Sequence, residues 1–359
     1  MVSSKSVQRV GIANPLVIMA AVVVVIAGLR VAQSILAPCL LAAFLAVICF
    51  PPLTWLRRKR LPDWLALLIV VGAGVGIVLF LVAILGSSLS QFTGKLPTYQ
   101  DHLFQQMEQA TKWLESKGIE VGELTQQEGF DSRRLLNLVS QLVGTVGSLT
   151  SDVFVILLIF VFILVEGTTF PSKLKAMPEY TPDRAEQLRQ ILENVRQYLA
   201  IKTQLSLATA VLVTILLFAL GIDFPVLWGL LAFLLNYVPN IGSFIAAIPA
   251  VVLAFVQLGI APALYTGLGY AVINVVIGNV IEPRVMGRGL GLSTLVVFLS
   301  LLFWGWVLGS VGMLLSVPLT MILKIVLQSV EGTRWLAILM GSGAPIGITQ
   351  KNSSTVVGN

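Results

Sequence analysis

Charge is scarce in this chain. Of 359 residues, 23 are Lys or Arg and 17 are Asp or Glu, so 11% are charged while 57% are hydrophobic. A single soluble domain of this length has no way to bury so much apolar surface, and that class is excluded. Histidine occurs once, as His102, and cysteine twice, as Cys39 and Cys49. The lone histidine lies outside the apolar segments, which counts against an intramembrane Ser-His hydrolase, and no His/Cys/Asp cluster has metal-ligand spacing. Both cysteines fall within one apolar run and read as buried thiols, not as a disulfide framework. No G-x-x-x-x-G-K-[ST] sequence is present, which argues against a primary ATP-driven pump, and no Gly-rich dinucleotide loop follows a strand. The chain is therefore expected not to be an enzyme, with no catalytic residue, metal or cofactor to nominate.

What is present is apolar sequence in lengths that match a bilayer. About 20 residues cross a hydrocarbon core of about 30 Å. After a short polar head bearing Lys5 and Arg9, apolar runs occupy 15–29 and 35–50. A signal peptide begins the same way, but further spans behind it favour a retained helix. Pro51 and Pro52 end the second run, and Arg57, Arg58, Lys59 and Arg60 follow as a dense basic loop. A third span covers 64–89. From 91 to 141 Gln, Glu and Lys enter, with apolar residues at helical spacing, so an amphipathic helical hairpin outside the membrane is expected. A fourth span covers 142–165, with Asp152 near its start and Glu166 at its end. Residues 171–202 interleave charges of both signs with an apolar stripe at Leu188, Ile191, Leu192, Val195 and Leu199, which suits a helix along a membrane surface or a merely solvated face. A fifth span covers 203–222.

Proline and glycine then break the apolar sequence. Residues 226–238 are too short to cross upright, and Pro239, Asn240 and Gly242 interrupt them before 243–257 runs on. This reads as a re-entrant or half-helix hairpin tipped by Asn236, Tyr237, Asn240 and Ser243, the alternative being an ordinary loop between two short spans. Broken backbone at membrane depth persists only where protein or a water-filled cavity satisfies it. Residues 261–281 make a full span in which Asn274, Gly278 and Glu282, four apart, share one face. Pro283 is expected to stop that helix at Glu282, with the Gly-rich basic turn 284–291 beyond it. A second hairpin, 292–308 with 311–327, bends around Gly305, Gly309 and Gly312 and contains Pro318. The hinge positions are accordingly Pro239, Gly242, Pro283, Gly305, Gly309 and Pro318.

The net charge of +6 raises the question of nucleic acid, but the basic loops all fall on one side of a single topology. With the amino terminus cytoplasmic, the loop 57–60, the segment 173–202, the turn 284–288 and the tail are inside, and the acidic segment is outside. The basicity is read as topology, and no nucleic-acid partner is expected. The fold class is all-α: a polytopic integral membrane bundle with re-entrant or broken-helix hairpins and a small extramembrane helical segment. Its expected parts are three transmembrane helices in 1–90, an extracytoplasmic amphipathic segment in 91–141, a fourth transmembrane helix in 142–166 and a cytoplasmic amphipathic helix in 167–202. A transmembrane core with two hairpins occupies 203–330, and a cytoplasmic tail 331–359.

The stretches Asn236-Tyr237-Val238-Pro239-Asn240-Ile241-Gly242-Ser243, Gly278-Asn279-Val280-Ile281-Glu282-Pro283-Arg284-Val285-Met286-Gly287, Leu292-Ser293-Thr294-Leu295 and Trp304-Gly305 through Gly309 to Val317-Pro318-Leu319 resemble signatures of the autoinducer-2 exporter family. The likeness covers nearly the whole chain and is most specific in its carboxy-terminal half. It implies a bacterial inner-membrane permease that exports the small furanone-type signal autoinducer-2 and so affects quorum sensing and biofilm formation. It also admits a sodium/proton antiporter, for which Glu282, Asp152 and Glu166 are the near-membrane carboxylates, and a scaffold without transport remains open. A hydroxyl-rich solute needs hydrogen-bonding groups in a mostly apolar wall, and Asn236, Asn240, Ser243, Asn274 and Asn279 are the candidate path lining. Glu282 with Arg284 is either a gating or coupling pair or a helix-end pair at the interface. Membrane lipids are expected partners, and rows of small residues point to a homo-oligomer.

Overall fold

A computed structural model describes residues 15–116, 141, 152–169, 173, 176, 182–239, 241–286, 291–329 and 331–341, and every regular element among them is helical. The helices are α1 (Pro15–Val31), α2 (Gln33–Arg58), α3 (Asp63–Ser116), α4 (Val153–Gly167), α5 (Pro182–Ala219), α6 (Pro225–Leu235), α7 (Gly242–Leu258) and α8 (Ile260–Asn274). A π-helical segment, Val275–Ile281, joins α8 to α9 (Glu282–Met286), and α10 (Thr294–Leu314), α11 (Ser316–Ser329) and α12 (Arg334–Leu339) follow among the described residues. Among the described residues, five helices are long and apolar enough to cross a bilayer: Gln33–Arg58, Asp63–Tyr99, Leu192–Ala219, Ile260–Val285 and Thr294–Leu314. The chain is a polytopic helical membrane bundle.

Helical spacing of small and branched residues decides which faces meet. Ala42, Ala46 and Leu53 of α2 pack against Ala66 and Val70 of α3 and against Ile156, Phe160 and Leu164 of α4. Residues three and four apart share a helix face, so each helix offers this bundle one stripe. A second core joins Val213 and Leu217 of α5, Trp228 and Leu231 of α6, Ala246, Ala250 and Leu253 of α7 and Tyr270 of α8, with Phe92 and Tyr99 of α3 closing one end. The opposite faces stay apolar and exposed, as Leu207, Val211, Ile215 and Phe218 on α5 and Leu264, Leu268 and Val272 on α8 show. Apolar side chains on both faces of a helix fit a lipid surround.

The first of two hairpins, α6 with α7, belongs to this core, and the second, α10 with α11, packs against α1, α2 and α5. In the first, α6 leaves Asp223 and α7 returns to it, because Gln257 Oε1 accepts from the Asp223 backbone N–H at 3.1 Å. Its tip, which begins at Asn236, lies against the middle of α5 through Tyr237 and Thr203. A side-chain carbon on Gly242 would stand 1.7 Å from the Leu235 carbonyl oxygen, so only glycine lets the chain close this tip. In the second hairpin α10 and α11 pack side by side. They open where Lys324 Nζ donates to the Gly291 carbonyl. The bend is at Gly309, whose φ of 66° and ψ of −147° break the helical geometry within α10. The Trp304 indole N–H then ties α10 to Thr320 of α11 at 3.0 Å, and Arg30 of α1 covers the Trp306 ring at 4.4 Å.

Five sequence expectations change. The third span does not end near residue 89, since α3 runs unbroken for 54 residues, about 81 Å at 1.5 Å per residue. Its first 37 residues are the apolar part, and the rest supplies a helical arm where a separate amphipathic hairpin is expected. Residues 117–140 of that segment lie outside the described residues. Likewise the amphipathic segment and the fifth span are one 38-residue helix, α5. The first two apolar runs are separated only by Ala32, at φ −82° and ψ 7°, whereas antiparallel helices need a connection of about two to five residues. Nor does the helix stop at Glu282. Proline disfavours the helix because it has no N–H for the carbonyl four residues back and its ring crowds that carbonyl. Here the preceding turn widens to π geometry, with the Glu282 N–H donating to Ile277, and the helix continues to Met286. In the tail, Ala337 of α12 is fully buried and the Met340 carbonyl accepts from the Ser293 N–H, so α12 is docked on the bundle against α11.

Candidate functional site

Along α5 the residues Lys202, Ser206, Thr209, Val213 and Leu217 are all buried. Their spacing of three and four keeps them on one inward face, which is polar in its first two turns and apolar afterwards. Lys202 Nζ donates to Glu282 Oε1 at 2.8 Å and Oε2 at 3.0 Å. The side chains are 5% and 22% exposed. A buried charge is costly unless it is paired and hydrogen-bonded, and this pair satisfies both oxygens of the carboxylate. It joins α5 to the end of the π segment, the one place where the α8 helix is widened. π-turns occur frequently at functional sites.

The hairpin tip sits beside this pair. Asn236 Nδ2 donates to Ser206 Oγ at 3.0 Å, and Tyr237 Oη donates to Thr203 Oγ1 at 2.7 Å. Phe44 of α2 meets the Tyr237 ring edge-on at 5.4 Å. Thr203 in turn donates to the Leu199 carbonyl. This part of α5 therefore carries a cation engaged by Glu282 and a threonine and a serine both engaged by the hairpin tip.

A second polar cluster closes the other end of the first hairpin. Asp223 Oδ2 accepts from Lys95 Nζ at 2.8 Å and from Tyr99 Oη at 2.7 Å. Gln257 Nε2 donates to Tyr99 Oη at 3.4 Å, and the Trp228 indole N–H donates to the Asp223 carbonyl at 3.0 Å. Burial pushes the Asp223 carboxyl upward, but its bonds to Lys95 and Tyr99 outweigh that and hold it below the ordinary carboxylate value. The helical rise puts Lys202 about 26 Å from the end of α5 and Glu282 about 33 Å from the start of α8. Two polar clusters thus bracket an apolar core about one bilayer thick.

The nominated residues distribute as follows. Asn236 is at the tip and bonded to α5. Ser243 and Asn274 are half-buried, and Asn279 is exposed on the π segment. Asn240 lies outside the described residues. Glu282 is at the centre of the site, but its partner is Lys202, and Arg284 is exposed. Positions two apart on a helix do not face each other, so Arg284 points away from the carboxylate's side. Asp152 is exposed, and Glu166 is bound to Lys173 at the helix end. Of the hinge positions, Pro239 lies in the tip turn, Gly242 closes it, and Pro283 follows the π segment. Gly305 abuts the Met313 side chain, Gly309 carries the bend and Pro318 is buried.

Lys202, Thr203, Ser206 and the Asp223 cluster escape the sequence reading. Lys202 closes a run of alternating charges and passes for the last of them. The signal available is the spacing of Tyr198, Lys202, Ser206 and Thr209, polar groups on one face entering an apolar run.

The family model described as AI-2E family transporter matches residues 17–332. The chain belongs to the AI-2E transporter family. It is 43% identical to a Haemophilus influenzae protein named "Putative transport protein" over 90% of this chain and 94% of the relative. It is 41% identical to the AI-2 transport protein TqsA of Escherichia coli K12 over 89% of this chain and 92% of the relative. Identity to the Borreliella burgdorferi protein of the first name is 28%, over 89% of this chain and 88% of that one. As an AI-2E family member the chain is a membrane transport protein.

Proposed function

We propose that this AI-2E family transporter exports autoinducer-2 across the bacterial inner membrane, lowering the internal level of the signal and so affecting quorum sensing and biofilm formation. The substrate rests on 41% identity to a protein named for AI-2 transport. The observation that carries the route is the Lys202–Glu282 pair beside the Asn236 and Tyr237 contacts. These polar groups line one end of an otherwise apolar core, and their amides and hydroxyls match a small hydroxyl-rich solute. Lys202–Glu282 is the gate: it closes the route while intact and opens when α5 and the end of the π segment part. The basic loop at Arg57–Arg60 sets this end toward the cytoplasm and Asp223 toward the outside.

Sodium/proton antiport is the second reading, favoured by the burial of the Glu282 carboxylate against a cation. Deletion of the gene, followed by measurement of autoinducer-2 inside and outside the cells, tests the export reading. Internal accumulation that the wild-type gene reverses supports it; unchanged distribution with protein present in the membrane overturns it. Sodium-dependent proton movement by the purified protein, without signal flux, replaces it with antiport. Neither flux leaves a scaffold.

A further inference from the structure

We propose that Asp223, with Lys95, Tyr99 and Gln257, is a second gate: a latch that closes the route at the end opposite Lys202–Glu282. The inference rests on the reading of the chain as a solute conduit and adds the residues that seal its other mouth. Asp223 occupies the junction where α5 ends and the first hairpin begins. Its side chain binds α3 through Lys95 and Tyr99, and its backbone binds both arms of the hairpin, α6 through Trp228 and α7 through Gln257. One residue thus ties both arms of the hairpin to the long helix.

Below the carboxylate an aromatic plug fills the space. Phe92 is fully buried and meets Trp228 edge-on at 5.6 Å and Phe224 at 6.0 Å. Phe224 has φ 58° and ψ 44°, left-handed geometry that a residue with a side chain rarely adopts. Such backbone persists where the surroundings enforce it and concentrates at switch regions. Here the enforcing contacts are those of Asp223 and the ring of Phe92. The Lys95 and Asp223 side chains are 53% and 36% exposed, so water reaches the latch, while Phe92 and Tyr99 behind it are buried. Loss of the carboxylate bonds releases Phe224 and separates the hairpin from α3. Beyond Tyr99 the same helix continues to Ser116, about 25 Å further, and is a lever on the latch.

The test uses the full chain with its two cysteines removed (C39A, C49A) and S206C introduced, in right-side-out and inverted membrane vesicles. A membrane-impermeant maleimide reports access to position 206 from each face. With Asp223 present the reaction is slow from its face. D223N raises the rate from that face alone by at least about tenfold, the equivalent of one lost bond to a charged group. D223E restores slow labelling. Y99F, which removes only a hydroxyl and keeps the helix, raises it in the same direction. Unchanged labelling in both D223N and Y99F overturns the proposal. So does labelling of A46C, a buried position in the separate core of α2, α3 and α4, in the D223N background, or an equal rise from both faces, because either shows a loosened bundle. The labelling needs no solute: an intact latch response in protein that moves no autoinducer-2 keeps the latch and removes the substrate reading.

Discussion

Lys202 reaches from the middle of α5 to both oxygens of Glu282, 80 residues on in sequence, at 2.8 and 3.0 Å. Both side chains are largely removed from solvent, and each is tolerable there because of the other. Removing one partner strands a buried charge, which typically costs about 3–5 kcal/mol, whereas replacing both with apolar groups is often nearly neutral. K202M and E282M are therefore each expected to lower stability by about that amount, and the double variant to recover most of it. Unfolding in detergent, read as a double-mutant cycle, checks this. Additive losses would show that the two residues act independently.

The hairpin bends give a second prediction. Gly309 sits at φ 66° and ψ −147°, and a side-chain carbon there would come within 2.6 Å of Gln33 Nε2. G309A is expected to destabilise the protein by about 1–3 kcal/mol through backbone geometry that residues with side chains avoid. G242A meets the Leu235 carbonyl at 1.7 Å and is expected to disrupt the tip that holds Asn236 and Tyr237 against α5. Thermal unfolding of both, with G76A as a control having open space around it, tests the claim. A control as damaging as the other two would refute it.

Asp223 makes stability depend on acid. Its folded value lies below the ordinary one, despite burial, because Lys95 and Tyr99 bond the charged form. The contribution is fully present above the unfolded value of about 3.9 and is lost as pH falls through the lower folded value. The exposure of both side chains keeps it small. Unfolding followed from pH 5 down to pH 3 should show a loss in the wild type that D223N largely lacks, and identical profiles would exclude the carboxylate as its source.

Asn236 and Tyr237 are separable from the ion pair. Each donates one hydrogen bond to α5, worth about 1 kcal/mol. N236A and Y237F are expected to reduce transport while leaving the fold intact. Flux alongside unfolding temperature distinguishes the roles, and a loss of flux that tracks loss of stability would make them structural.

The membrane class, the two hairpins and the Gly309 bend are legible in the sequence because each follows from a local rule: run length, proline and glycine placement, and the cost of broken backbone in lipid. The partner of Glu282 is not. Arg284 is near in sequence and Lys202 is near in space, and only the packing of α5 against the π segment decides between them. The continuation of the helix past Pro283 is hidden for a related reason, since the preceding turn absorbs the defect that proline creates. Asp223 is visible as the only charge between Lys202 and Glu282, but its meaning depends on an arm of α3 more than 120 residues earlier.

The central claim is that Lys202–Glu282 gates a solute route, and flux of labelled autoinducer-2 through protein reconstituted in liposomes tests it most directly. Wild-type protein is expected to move the signal, and E282Q, which keeps the shape but breaks the ion pair, is expected to change that flux by at least about tenfold, the ratio that about 1.4 kcal/mol produces. Equal flux through folded E282Q and wild-type protein would contradict the account.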